Sequence, residues 1–336
     1  MKRKPFCLIA SIVLIVGCTP ESATPPNSAS AEPTMVSTRT PNPTPTDTVL
    51  SFTPTPIPTT TATIYPEISE TNPKQFVTEL LQNNGGCNLP CLLGIPLDAS
   101  SQPNVNTLMR YFRSMGVSLD NPSAGLGIEQ QNRNDWSGAL IQFRKDDVNV
   151  SVELYFYFDG VSLSQGALRS RAYQSGSDFT RILYEDSYYS QLFQNFSIAN
   201  VLSLHGEPDQ ILVAPFPDDS ERPEANYAFS FVLFYRKQGF LIQYVSPRVK
   251  IGEYLVGCPQ KSVIDISTWD PRMEMTLENA VQHFGSIDSI NKLNLDYFKP
   301  IEEVSNYNTS SFYNTFKTRA DACIETPKKM WTALEP

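Results

Sequence analysis

The sequence predicts an α+β fold in which antiparallel sheets are covered on one face by short amphipathic helices. Three observations lead there. Several segments alternate apolar and polar residues with the period of a half-buried strand. Short helical segments that stop at glycine recur ahead of such strands, at 104–116, 197–206 and 276–285. The regular strand–helix–strand alternation that a parallel sheet requires is missing.

The elements follow in order through residues 67–336. Pro73 to Asn84 reads as a helix: Asn72 can cap it, Pro73 suits its first turn, Phe76, Val77, Leu80 and Leu81 share a face, and Gly85-Gly86 ends it. A second helix is expected over about 104–115, where Val105, Leu108, Met109, Phe112 and Met115 recur at three- and four-residue steps before Gly116. Strands are expected at Ser137–Arg144 and at Asn149–Phe158. The second of these carries Val150, Val152, Leu154, Phe156 and Phe158 on one face; Tyr155 and Tyr157 share the other, which is therefore expected to be partly covered. Asp159-Gly160 is a turn. A third helix spans Ser197–His205 with Ser197 as cap, followed by strands at Ile211–Ala214 and Tyr227–Tyr235, a turn at Lys237-Gln238-Gly239 and a hairpin partner at Phe240–Val245. Thr276 caps a fourth helix that runs to Phe284. A change of character near 176–190 divides the body into 67–180 and 181–336, either two tandem similar modules or one continuous domain.

The helix–Gly-Glu-Pro-Asp–strand–hairpin run at 197–245 resembles the small α+β modules of outer-membrane lipoproteins of the BamE/SmpA class. The resemblance covers about 50 residues, and the other two helix–glycine segments lack the Pro-Asp that follows the glycine. It carries over no interaction residues.

The N-terminus has its own signature. Lys2, Arg3 and Lys4 precede an apolar run from Phe6 to Val16, too short to span a bilayer core as a helix. The pattern is that of a secretory signal peptide. It closes on Ile15-Val16-Gly17-Cys18, which resembles the lipobox of bacterial lipoproteins. The resemblance implies export, removal of residues 1–17 and acylation of Cys18, with the lipid bilayer as a partner through that residue. Residues 19–66 then hold 11 of the 27 prolines and 14 threonines. Proline fixes φ and removes donors, so residues 18–66 are expected to be a lipidated cysteine and a disordered Thr/Pro-rich tether. Fully extended at polyproline spacing, the tether would reach about 150 Å.

Charge and histidine content exclude whole classes of function. The formal net charge is −9, and loss of the first three cations takes it to −12. Nucleic-acid binding needs clustered positive charge, so no nucleic-acid partner is expected. Such an acidic body is also not expected to adhere to anionic lipid without its acyl chains. His205 and His283 are the chain's two histidines, which leaves little for acid–base chemistry near neutral pH. Each stands beside a helix-ending glycine, where a cation would interact favourably with the helix C-terminus.

Cys87, Cys91, Cys258 and Cys323 lie in the body, and four cysteines in an exported chain read as two disulfides. Three pairings are open. We favour Cys87 with Cys91, a ring worth at most ~2 kcal/mol, and Cys258 with Cys323, a long staple worth about 4 kcal/mol. The contrasting reading makes Cys87 and Cys91 a copper or thiol carrier. Against it, Leu92 stands where copper chaperones with a CxxxC motif carry proline, and no histidine neighbours the pair.

No catalytic motif and no cofactor signature occurs: GxSxG, HExxH, a P-loop and GxGxxG are all missing, and Gly160-Val161-Ser162-Leu163-Ser164 fails at its last place. Asp146-Asp147, Glu185-Asp186 and Asp218-Asp219 read as solvated turns. The functional lead is aromatic. Tyr184, Tyr188, Tyr189 and Phe193, with Phe196 beside them, offer rigid contact area for an envelope protein or a glycan, against the plainer alternative of core packing. Trp136, Trp269 and Trp331 carry the same ambiguity. The expected function is a membrane-anchored extracytoplasmic lipoprotein acting as a non-catalytic binding module. A glycan-acting hydrolase is the first alternative, since its two carboxylates could be distant in sequence.

Overall fold

Period-two alternation builds the sheet around which the described residues are arranged. The computed structural model describes residues 72–98, 101–114, 136–160, 162–175, 180–184, 186–215, 228–280, 298–319 and 321–334. The signal segment, Cys18, the tether, the stops at Met115-Gly116 and His283–Gly285, and Glu185, Asp218 and Asp219 lie outside these residues. Strands β1 (Trp136–Lys145), β2 (Val148–Asp159) and β3 (Ser162–Ser175) form one meander, with β4 (Thr180–Ile182) against β3. Strands β5 (Gln210–Pro215), β6 (Ala228–Tyr235) and β7 (Phe240–Ile251) form a second. Between the meanders lies β9 (Val263–Trp269), and β10 (Lys299–Pro300) borders β5. The order is β1-β2-β3-β9-β7-β6-β5-β10, every neighbouring pair antiparallel.

β7 outlasts this sheet. Its residues 248–251 leave β6 behind and pair with β8 (Tyr254–Gly257), which pairs in turn with β11 (Ile324–Pro327). Among the described residues the strands make an 11-stranded antiparallel sheet, so with its helices the protein is α+β.

Helices α1 (Pro73–Asn83), α2 (Gln102–Ser114), α3 (Ser187–Leu192), α4 (Ile198–His205), α5 (Ile301–Val304) and α6 (Thr309–Phe316) accompany the sheet. Asn72 caps α1 as expected, its side-chain oxygen accepting from the Lys74 and Gln75 N–H groups at 3.1 and 3.4 Å. The stop is tighter than two permissive glycines require. Asn84 enters the left-handed region at φ 54° and Gly85 follows at φ 65°. A Cβ on Gly85 would stand 2.5 Å from the Gly94 nitrogen. Ser197 occupies the N-cap position of α4, but its side chain makes no capping bond, contrary to expectation; the backbone bond from Val201 N to Ser197 O starts that helix. Thr276 does cap the next helical turn, accepting from Asn279 N at 3.2 Å.

Alternation assigns two faces to the sheet. Ile141, Val152, Leu154, Leu168, Ile266, Ile242 and Leu233 face one way and join Val77, Leu108, Phe112, Phe196, Leu202 and Phe316 of the helical layer in the main core. On the opposite face, Leu212, Val232, Phe234, Leu241 and Trp269 pack with Met275, Ala280 and Phe298. The expected boundary at 180/181 falls inside β4. Residues from both sides of it share the main core, and β3 and β9 are neighbours over Gln165–Arg169 against Asp265–Trp269. The segments 67–180 and 181–336 therefore contribute to one sheet.

Candidate binding face of the sheet

The second face of β1, β2, β3 and β9 is polar and aromatic; Tyr155, Arg169 and Asp265 on it are buried, and only its β1 side is exposed. The register places Leu140 opposite Glu153, Glu153 opposite Arg169, Arg169 opposite Asp265, and Tyr155 opposite Ala167. Arg169 and Asp265, distant in sequence, thus meet on neighbouring strands. Arg171 Nη1 and Nη2 donate to the two carboxylate oxygens of Asp265 at 2.6 and 2.9 Å, a bidentate pair. Arg169 stands between the two acids, with Nη1 3.7 Å from Glu153 Oε2 and Nε 3.9 Å from Asp265 Oδ1. Tyr155 Oη donates to Glu153 Oε2 at 3.2 Å.

Electrostatics follow from burial offset by pairing. Burial raises the Glu153 pKa above the usual carboxylate value, and Arg169 and Arg171 oppose that rise. Burial works against the Arg171 charge, but Asp265 outweighs it and holds the guanidinium firmly protonated. Burial and then Glu153 push the Tyr155 phenol well up, while burial pushes Tyr157 up to about 12. Both tyrosines therefore stay neutral donors at physiological pH. Toward the β1 edge the same face opens to solvent, with Leu140 38% exposed and Gln142 and Arg144 exposed. The expectation that the Tyr155/Tyr157 side is partly covered holds: Tyr155 is buried and Tyr157 half-buried.

The aromatic cluster of α3 divides. Tyr189 and Phe193 are each 2% exposed and pack ring to ring, with centroids 4.7 Å apart. Tyr184 and Tyr188 are half-buried against the same core, and Lys145 Nζ lies 5.1 Å from the Tyr188 ring centre. Tyr189 also has a structural role for its hydroxyl. The β3–β9 ladder ends at Arg169/Asp265. Just beyond, Ile264 N donates to Tyr189 Oη at 2.8 Å, Tyr189 Oη shares a hydrogen with Ser170 Oγ at 2.5 Å, and Ser170 Oγ donates to Ile264 O at 2.7 Å. The phenol thus closes the gap where the two strands part. Asp186, expected in a solvated turn, instead caps α3 by accepting from Tyr189 N at 2.8 Å. Tyr189 and Phe193 help line a small pocket of about 80 Å³ with Tyr244, Gln260 and Ser262.

Both disulfides take the favoured pairing, Cys87–Cys91 and Cys258–Cys323. The first is held by Asn84, whose fully buried side chain donates to Cys87 O and Cys91 O at 2.8 and 2.9 Å and accepts from Leu93 N at 2.6 Å. With these sulfurs spent on one another, they are not thiolate ligands. Among the described residues no three His, Cys, Asp or Glu side chains gather as a metal-binding group.

Asp146-Asp147 forms the exposed β1–β2 turn, Asp146 at φ 55°. His205 departs from the expected cation at a helix end: burial lowers its pKa, so the neutral imidazole sits edge-on to Phe240. Its Nδ1 lies 2.8 Å from Gln238 Oε1, and Gln238 Nε2 donates to His205 O at 2.8 Å. Trp269 and Trp331 are buried. Trp136 is opposite Tyr157 in the register. Among the described residues no helix is long and apolar enough to cross a membrane. No protein-family model, curated protein or solved structure matches this chain.

Proposed function

We propose that the protein is an extracytoplasmic lipoprotein held to a bilayer by acyl chains on Cys18, and that its body is a non-catalytic binding module whose recognition surface is the exposed β1 side of the second sheet face. The observation that carries this reading is the ion-paired sheet face. Glu153, Arg169, Arg171 and Asp265 hold one another in place, which makes a rigid base beside which Leu140, Gln142 and Arg144 stand exposed on β1. Preset side chains lose little freedom on binding. The two disulfides are consistent with an oxidising compartment outside the cytosol.

Glu153 and Asp265 both lie on this face, but Arg169 stands between them and both Asp265 oxygens are occupied by Arg171. They are arranged as structural ions, which favours binding over glycan hydrolysis.

Two measurements test the proposal. Metabolic labelling with palmitate should mark the native chain and leave Cys18→Ser unmarked. Capture from native membranes should recover an envelope protein or glycan with the native body, and Leu140→Glu with Gln142→Glu should lose it while keeping the native circular dichroism spectrum. Identical recovery by both forms would remove the sheet face from the proposal.

A further inference from the structure

The pocket of about 80 Å³ lies between the helical layer and the sheet, lined from α3, the start of α4, β7 and the approach to β9. Tyr244 and Ile264 place it on the main-core face, away from the β1 surface. Tyr189, Phe193, Tyr244 and Ile198 give it apolar walls. Both phenol hydroxyls are committed elsewhere, Tyr189 to Ser170 and Ile264, and Tyr244 to Phe196 O at 3.0 Å. Donors come from two other places. Ser262 is 6% exposed, and its Oγ is buried with no hydrogen-bond partner among the described residues. Its backbone is extended, at φ −126° and ψ 147°, and leads directly into β9. Alternation therefore puts its side chain on the face of Ile264 and Tyr244, toward the pocket. A buried, unpaired hydroxyl calls for a physical reason. The start of α4 is the second source. Its first backbone bond runs from Val201 N to Ser197 O, so the N–H groups of Ile198, Ala199 and Asn200 precede the helical ladder. Ser197 stands at the cap position without accepting from them, and Ser197 and Ile198 both line the pocket.

Apolar walls with donors beside them select a small apolar group joined to an acceptor oxygen. The volume is about half that of a cavity able to hold benzene, which leaves room for about four heavy atoms. Charge selects a neutral group. No lysine or arginine is among the described residues that line the pocket, Lys261 included, while the acid Asp186 caps α3 at Tyr189 N. A carboxylate buried there would lack a cation. We propose that this pocket binds the acetamido group of an N-acetylated amino sugar, with the methyl against the aromatic walls and the carbonyl oxygen accepting from Ser262 Oγ and the first N–H groups of α4. Ser190 and Gln260 favour a sugar as the bearer. Both are exposed and line the pocket, so its mouth offers polar groups to ring hydroxyls. The site depends on neither the Cys18 anchor nor the β1 surface.

The test titrates the full-length protein with N-acetylglucosamine, glucosamine, acetate and N-acetylalanine methylamide, and reads saturation transfer to the ligand protons by NMR. The expected result is transfer centred on the acetamido methyl of N-acetylglucosamine, with the other three binding at least about tenfold more weakly. Ser262→Ala should weaken the sugar about tenfold, the loss of one hydrogen bond. The same variant should keep or raise the urea midpoint of the free protein, because it removes a buried hydroxyl that no protein group pairs. A pocket that holds only water gives no saturation transfer, and that result overturns the proposal. Equal affinity of the native protein and Ser262→Ala for the sugar also overturns it. Acetate binding as tightly as the sugar would make this an anion site, and N-acetylalanine methylamide binding as tightly would make it a peptide site; either overturns the sugar assignment. A Ser262→Ala protein with a lowered urea midpoint would give the hydroxyl a structural role and remove it as the ligand's donor.

Discussion

The His205 imidazole is held neutral by burial, and that makes one residue a source of pH dependence with a definite sign. Its folded pKa lies below the ordinary value of 6.5. Between those two values the unfolded chain binds the proton more readily, so the His205 contribution is full above the ordinary value and is lost as the pH falls toward the lowered one. The variant His205→Gln keeps a donor within reach of Gln238 and removes the titration. Urea midpoints measured from about pH 7.5 to about 5.5 should show the native protein losing stability relative to this variant, the other ionisable groups being common to both. Parallel curves would show that His205 takes up its proton equally in both states. At this scale the sequence was least informative. The place of His205 in a helix end could be read; the cover from Phe240 and the Gln238 clasp could not, because both come from the turn and strand beyond residue 235. Asn84 is similar: it reads as a helix stop, but its bonds to Cys87 O, Cys91 O and Leu93 N appear only once the disulfide loop has folded around it.

Among the elements, the seam between β3 and β9 joins the two meanders, and two side-chain devices secure it. One is the Arg171–Asp265 pair; the other is the Tyr189 hydroxyl where the ladder ends. Asp265→Asn keeps the shape but leaves two nearly buried arginines with one acid, at a cost of about 3 kcal/mol. Tyr189→Phe unpairs Ile264 N at a cost of about 1–3 kcal/mol. Chemical denaturation should rank Asp265→Asn as the more damaging; the reverse order would mean that the ion pairs contribute less than the phenol bridge. The same seam shows what the sequence hid. β1, β2 and β6 were legible because one face of each is continuously apolar. β3 mixes Ser164, Gln165, Arg169, Ser170 and Arg171 with few large apolar residues, and it is a strand because β2 and β9 flank it. β9 did alternate, Ile264 and Ile266 against Asp265 and Ser267, but buried Asp265 is tolerated only beside its arginines. The ion-paired sheet face was missed for that reason: Glu153, Arg169 and Asp265 meet through register, and no local spacing encodes register between distant strands.

For the molecule as a whole, one shared sheet implies one cooperative unit. The division at 180/181 would separate β3 from β9 and split a core that draws Val77, Phe112 and Phe156 from one side and Phe196, Phe231 and Phe316 from the other. A chain ending at residue 180 would expose the inner edge of β3 and lose the partners of α1. Independent stability of either half would require each to bury its own apolar face, and here each half completes the other's. Denaturation of the full chain with its disulfides intact should therefore follow a single transition, with far-ultraviolet circular dichroism and tryptophan fluorescence coincident. Replacing Cys258 and Cys323 with serine should move that transition down by about 4 kcal/mol, the entropy of freeing a long loop in the unfolded chain, without splitting it. The chain 1–180 should lack a cooperative transition. Separated probe curves with a plateau between them, or a folded 1–180 fragment, would show that the tandem halves are autonomous and that the β3–β9 seam is a contact between finished domains.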